Sequence, residues 1–312
     1  MTAALLFDAG LCLLVLVVAF SAVAGRGLFG AIAFFIIYGM LIALAWLRLE
    51  GVDVALAEAA IGAGLTGMLL IGAWSMLKQL GVSGLPGGPS VPLRIAAGAV
   101  SGLVALALAA TVLALPDGRE GLSPAVAESL GRSGVDNPVT AVLLNFRAYD
   151  TLLESVVLLI ALIAVWSLTP RAVWGGVPGL AQHARSDGVL SMFGRLLPPL
   201  GLVVAIYLVW AGSSQPGGAF QAGTVLAAVW LLVVMAGLYD EPPASSRNLR
   251  LALVAGPGVF LAVGAVGAAF GVFMGIPEGF AKPLILSIEF ALTVSIAVTL
   301  ALLVAGRPRR PA

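Results

Sequence analysis

The chain has 312 residues, of which 61% are hydrophobic and 10% charged, and its formal net charge is +1. A soluble domain carries roughly 25% charged residues, because it needs a hydrated surface. The composition therefore excludes a soluble fold, and the near-neutral charge gives no indication of a nucleic-acid partner. Much of the apolar surface must face lipid.

Long apolar runs predict an all-α integral membrane protein. A transmembrane helix needs about 20 apolar residues, and the sequence lacks the alternating ten-residue strands that are typical of outer-membrane barrels. Nine runs fit a membrane span, at 4–24, 28–47, 53–77, 93–115, 139–168, 194–212, 217–238, 249–273 and 283–305. The polar gaps between them predict three, two and four helices, in domains 1–80, 81–190 and 191–312.

The first runs predict a retained helical hairpin. No basic segment precedes the first run, which favours a membrane span over a cleaved signal peptide. The turn Gly25-Arg26-Gly27 then predicts that the first two spans are antiparallel. Cys12 is the only cysteine, which excludes an internal disulfide, and His183 is the only histidine. No His/Cys cluster suggests a metal or another cofactor.

The distribution of basic residues predicts the orientation. With nine spans, eleven of the sixteen Lys and Arg residues fall on one side of the membrane. The side richer in Lys and Arg is normally cytoplasmic. We therefore expect the N-terminus outside and the C-terminus in the cytoplasm of a bacterial or archaeal cell.

Glu58, in the third span, is the first candidate for an ion pathway. A charged group at the centre of a membrane helix costs about 2.5–3.5 kcal/mol, so it needs a partner, water or a proton. Gly62, Gly64 and Gly67 follow it and would allow a neighbouring helix to approach closely. The alternative is a carboxylate near the headgroups that bonds to a loop.

The fifth run is too long to cross the membrane once without a tilt or a break. Asp136 or Asn137 can cap a helix that begins at Pro138. The charged residues of this run follow at helical spacing, three and four residues apart, which places them on one face; they are Arg147, Asp150 and Glu154. They are either a buried relay or a group that reaches the membrane surface, depending on where the helix enters.

Two further features lie near the C-terminal end. Glu289 is the one acidic residue of the last span, and it is either an ion-pathway residue or an interfacial carboxylate. The seventh span opens with Pro216, Gly217 and Gly218, followed by Gln221. Paired glycines permit a non-helical start whose amides face a cavity, although a simple turn explains the same pattern.

Three segments resemble subunits of Mrp-type Na⁺/H⁺ antiporters. Residues 7–78, with DVALAEAAIGAGL at 53–65, resemble the MbhD-like domain at the C-terminal end of the large antiporter subunit. The segment NFRAYDTLLE at 145–154 resembles the MbhE-like domain that follows it there, and residues 213–238, with PGGAFQAG, resemble the MnhB/MrpB subunit. The order is that of the tail of the A subunit fused to the B subunit.

The resemblance implies a membrane subunit of a complex I-related antiporter or antiporter-like ion-pumping module. It implies large antiporter-like and small subunits as partners, beside the lipid bilayer, with Na⁺ or H⁺ as the ion. The alternative is a scaffold that transports nothing and joins such subunits to a redox or carbon-uptake module. A stand-alone transporter would need an inverted repeat, which we do not find, and no nucleotide loop or nucleophile motif indicates an enzyme.

Overall fold

A computed structural model describes residues 3–25, 27–81, 90–115, 121–179 and 188–309. The N-terminal helices are α1 (Ala3–Ala24), α2 (Leu28–Arg48), α3 (Val52–Gln79), α4 (Val91–Leu113) and α5 (Ser123–Leu130). The remaining helices are α6 (Pro138–Ala141), α7 (Ala148–Ser167), α8 (Val189–Ala211), α9 (Ala219–Met235), α10 (Arg247–Ala269) and α11 (Ala281–Ala305). Two-residue strands, β1 (Val177–Pro178) and β2 (Pro308–Arg309), form an antiparallel pair.

The prediction of an all-α membrane protein with about nine spans is confirmed. Within the described ranges, eight helices are long and apolar enough to cross a membrane, and α9 is a ninth apolar helix of 17 residues. Most predicted ends lie within a few residues of the observed ones, while α8 begins five residues earlier than expected. Arg26 and His183 lie outside the described residues.

The first three helices pack into one unit. An ion pair between Asp8 near the start of α1 and Arg48 at the end of α2, 2.8 Å from Nε to Oδ1, fits the predicted antiparallel hairpin. The middle of α3, Glu58–Leu65, is a π-helix. A Cβ added at Gly39 of α2 would lie 3.2 Å from Ala63, so the two backbones are close here.

Gly67 gives a direct test of this packing. A Cβ there would lie 2.7 Å from Ile36 Cγ1, whereas one at Gly72, further along α3, would meet nothing within 4 Å. We expect Gly67→Ala to lower the free energy of unfolding by about 1–3 kcal/mol, because overpacking forces side chains from their preferred rotamers. Thermal unfolding in detergent measures the effect, with Gly72→Ala as the matched control; equal melting temperatures for the two variants would contradict it.

The last helix, α11, lies at the centre of the C-terminal bundle. Of its most apolar 18-residue window 61% is buried, against 33% or less in the other helices of spanning length. It packs against α7, α9 and α10. Its buried hydroxyls are satisfied by backbone carbonyls, since Thr293 donates to Glu289 O, Thr299 to Ser295 O, and Ser295 to Leu253 O on α10.

The long fifth run is broken, which fits the expectation of a tilt or a break. Asn137 caps α6 by accepting a hydrogen bond from the Val139 amide at 2.8 Å, so Asn137 rather than Asp136 is the capping residue. A π-helix, Val142–Phe146, follows α6 and ends at Arg147. The Arg147 backbone (φ −130°, ψ 40°) is not helical. The spanning part is therefore α7 alone.

The other end of the bundle is closed by the C-terminal segment. Strand β2 pairs with β1, and the Arg309 guanidinium donates to Gly179 O. Glu241, in the loop between α9 and α10, lies over Gly179. Burial raises the pKa of the Glu241 carboxyl, and the positive charge of Arg309 lowers it by a smaller amount. This contact ties the segments after α7, α9 and α11 to one another.

Helix α4 differs from the others because none of its residues is buried. It contains 23 residues and is apolar throughout most of its length. In a membrane such a helix is covered either by lipid or by another subunit.

Candidate functional site

A cavity of about 240 Å³ lies where α3, α7, α9 and α11 begin. These helices therefore start on the same side of the bundle. The polar lining residues come from all four helices and from the segments before α7 and α9: Asp53, Thr140, Thr151, Glu154, Gly217, Gly218, Gln221 and Glu289. The cavity thus joins the N-terminal unit to the C-terminal bundle.

The glycine-rich start of α9 shapes one wall of this cavity. Gly218 has φ 127°, a conformation that glycine adopts readily and that other residues rarely do. A Cβ on Gly212 would lie 2.8 Å from Gly218 Cα, so the end of α8 packs directly on this segment. With 17 residues, α9 is roughly 26 Å long, shorter than the ~30 Å apolar layer. Its first amides therefore lie below the membrane surface and beside the cavity.

Asp53 links the first turn of α3 to this glycine segment. Its Oδ1 accepts a hydrogen bond from the Gly217 amide at 2.9 Å, and its backbone carbonyl accepts one from Gln221 Nε2 at 3.3 Å. Free amides at a helix start carry partial positive charge and favour an anionic neighbour. The predicted non-helical start of the seventh span is therefore present, and its Gly217 amide meets a carboxylate.

Glu289 is the most enclosed acidic side chain of the cavity. It is 3% exposed, and its Oε2 atom has no hydrogen-bond partner in the described part of the chain. A Cβ added at Gly218 would lie 3.3 Å from Glu289 Oε1 and 3.5 Å from Gln221 Oε1. Two acceptor oxygens thus flank the space that the missing side chain leaves open. An interfacial position for Glu289, the alternative that the sequence left open, does not fit this burial.

The charged residues of the fifth run separate into two groups. Glu154 lines the cavity, whereas Arg147 and Asp150 do not. Those two form an ion pair of 2.7 Å between Nη2 and Oδ2, with side chains that are 67% and 48% exposed. Because Arg147 lies in the break before α7, the three residues do not act as one cluster.

Glu58, Gly62 and Gly64 lie differently from the expectation of close helix packing. Glu58 is half-buried and is not a cavity residue. Its carboxylate folds over its own helix, because the atoms nearest to a Cβ at Gly62 would be those of the Glu58 carboxyl. Gly64 is exposed, and the atom nearest to its Cβ would be Ala59 O of the same helix. Of the three glycines, Gly67 contacts a neighbouring helix.

The arrangement suits an ion in transit rather than a fixed metal site. Within the described residues, no three His, Cys, Asp or Glu side chains come together closely enough to hold a metal ion. The carboxylates of Asp53, Glu154 and Glu289 share a cavity but stand apart from one another in it. Asp53 was not among the site residues predicted from the sequence, although an acidic residue in the first turn of a span is a usable signal.

Two family matches cover most of the chain outside its middle. Residues 13–79 match the MbhD family of MBH components. Residues 189–307 match a domain related to the MnhB subunit of Na⁺/H⁺ antiporters. An uncharacterized protein of Methanocaldococcus jannaschii is 32% identical over 122 residues, a stretch that covers 35% of this chain and 47% of that protein. The chain thus matches about half the length of this curated relative.

The fold is similar to parts of two solved membrane complexes. A chain of the Mrp complex from Dietzia sp. DQ12-45-1b aligns with a TM-score of 0.73 and 26% identity, over 96% of this chain and 35% of that one. A chain of the membrane-bound sulfane sulfur reductase, an archaeal respiratory membrane complex, aligns with a TM-score of 0.56 and 23% identity, over 68% and 97% respectively. The second likeness concerns the fold alone. The chain is therefore a multi-pass membrane protein that joins an MbhD domain and an MnhB-related domain in one polypeptide.

Proposed function

We propose that the chain is a membrane subunit of a multi-subunit Mrp-type cation/proton antiporter or antiporter-like ion-pumping module. Its cavity forms part of a Na⁺ or H⁺ pathway, with Glu289 and Glu154 as the groups that meet the ion. The observation that carries this proposal is the buried Glu289 carboxyl with its unpartnered oxygen. The MbhD and MnhB matches and the likeness to an Mrp complex support it.

The physical reason is the cost of an isolated charge in an apolar surrounding. A buried carboxylate without a counter-charge is either neutralised by a proton or paired with a cation. Glu289 lies opposite the Gln221 amide oxygen, which is also an acceptor. Two acceptors that face one space are both satisfied when a proton or a cation lies between them. The site therefore favours occupation by a positively charged species.

The partners of this assembly are other membrane subunits, both large antiporter-like and small ones. The exposed apolar surface of α4 gives such subunits a place to pack. In the proposed orientation, with the C-terminus in the cytoplasm of a bacterial or archaeal cell, the cavity lies near the outer surface. Any redox chemistry of the assembly takes place in partner chains, and this chain acts in transport rather than catalysis.

The segment between the two matched domains keeps its own proposal. We infer that residues 81–190 form the MbhE-like domain, with 1–80 and 191–312 as the MbhD-like and MnhB-like domains. The alignment with the Mrp chain covers 96% of the protein and so includes most of this segment. Glu58 and the Arg147–Asp150 pair remain predicted pathway residues for surfaces that face other subunits.

Glu154→Gln tests the role of the cavity. We expect the assembled complex to lose most of its cation-dependent collapse of a pH gradient in membrane vesicles, because the amide cannot exchange a proton and binds cations weakly. Asp150→Asn, one turn earlier and outside the cavity, is the matched control. Equal exchange rates per assembled complex in the Glu154 variant and the unaltered protein would contradict the proposal.

The scaffold hypothesis is the second candidate, and the complete exposure of α4 favours it. A scaffold predicts that substitutions in the cavity change the yield of the complex and leave exchange per complex unchanged. The same vesicle measurement, normalised to the amount of assembled complex, therefore separates the two functions.

A further inference from the structure

We propose that Asp53 is a positioning residue: it fixes the start of α9 and the orientation of Gln221 beside Glu289, and it does not itself carry the ion. This role rests on the proposed pathway through the cavity. It concerns a residue of the MbhD domain that acts on residues of the MnhB-related domain, since Asp53 and Gly217 are 164 positions apart in the chain.

Asp53 holds the glycine segment with its side chain and with its backbone. The carboxylate Oδ1 accepts the Gly217 amide at 2.9 Å, and the carbonyl oxygen accepts Gln221 Nε2 at 3.3 Å. One residue at the first turn of α3 therefore fixes two points of the opposite segment. Gly217 is buried, so its amide has this carboxylate rather than solvent as its partner.

The bond to Gln221 decides which end of its amide faces the cavity. A glutamine amide has a donor end and an acceptor end. Because the donor end points to Asp53 O, the acceptor Oε1 is turned toward the space beside Gly218, where Glu289 Oε1 also lies. Without the Asp53 contacts, the Gln221 amide is free to rotate and to present its NH₂ group to the cation path.

The role predicts different results for two substitutions of Asp53. Asparagine keeps an Oδ1 acceptor for the Gly217 amide, whereas alanine removes it. We expect Asp53→Ala to raise the half-saturating cation concentration for exchange by about tenfold, the size of effect that follows from losing a hydrogen bond to a charged group. We expect Asp53→Asn to stay within about threefold of the unaltered complex, because a neutral acceptor retains part of that bond.

The experiment measures exchange by the whole complex in membrane vesicles over a range of Na⁺ concentrations, with the rate divided by the amount of assembled complex. Asp8→Ala, an acidic residue on α1 that pairs with the exposed Arg48, is the control for simple charge removal. Gln221→Met keeps the Asp53 carboxylate but removes the oriented amide. We expect it to raise the half-saturating concentration as Asp53→Ala does, and the double variant to add little.

Two outcomes would overturn the proposal. Complete loss of exchange in Asp53→Asn would mean that the carboxylate carries the ion. An unchanged half-saturating concentration in Gln221→Met would mean that the amide orientation has no function, and this result can be read even when Asp53→Ala fails to assemble. Either outcome leaves the cavity pathway itself intact, because that pathway fails only when the glutamate variants of the cavity exchange ions normally.

Discussion

Glu289→Gln should abolish cation-driven proton exchange by the assembled complex and leave its assembly unchanged. Glutamine has nearly the same shape as glutamate, and the site around Glu289 leaves one carboxyl oxygen without a partner in the described part of the chain. The neutral side chain removes the cost of a buried charge, so the folded protein should be at least as stable. A fall in exchange of a hundredfold or more corresponds to about 2.7 kcal/mol, within the cost of leaving a buried charge site unfilled.

The measurement is the rate of cation-dependent pH-gradient collapse in vesicles, divided by the amount of complex that native gels detect. Glu128→Gln on α5 is the matched control, because Glu128 is exposed and lies outside the spans. Normal exchange in the Glu289 variant would remove the buried carboxyl from the pathway. Loss of the complex from the membrane would instead assign Glu289 a structural role.

Gly218→Ala should have the second largest effect. The added Cβ would lie 3.3 Å from Glu289 Oε1 and 3.5 Å from Gln221 Oε1, in the space between the two oxygens. The backbone at φ 127° is strained for any residue with a side chain, at a cost of about 1–3 kcal/mol. We therefore expect a lower melting temperature together with a fall in exchange of at least about tenfold.

Gly258→Ala on α10 is the control for this variant, because a Cβ there would meet nothing within 4 Å. The two readouts distinguish the two physical causes. A lower melting temperature with normal exchange would show that the space beside Gly218 is not part of the ion path. Normal values of both would contradict the geometry of the α9 start.

The helices could be predicted from the sequence because hydrophobic length is a local property. A run of apolar residues identifies a span without knowledge of its neighbours. The burial of Glu289 and the contact of Asp53 with Gly217 could not be predicted in this way. They depend on which helices begin on the same side and pack together, and the residues concerned are far apart in the chain.

Glu58 and Gly62 show the opposite limit. A carboxylate followed by glycines predicts close packing against another helix, and the same glycine can instead make room for the carboxylate of its own helix. The sequence does not distinguish these arrangements, because the π-helical part of α3 changes which side chains lie over one another. Likewise, the spacing of Arg147, Asp150 and Glu154 predicts one shared face only in an unbroken helix, and the break at Arg147 removes that condition.

The depth of Glu289 connects the site to the membrane voltage. About eight residues separate it from the first residue of α11, which places it roughly 12 Å along the helix axis, or about two fifths of the ~30 Å apolar layer. An ion that arrives there from the nearer surface has crossed a similar share of the electric field. A potential of about 100 mV then changes its free energy by about 0.9 kcal/mol, so occupancy of the site responds to the electrical gradient as well as to concentration.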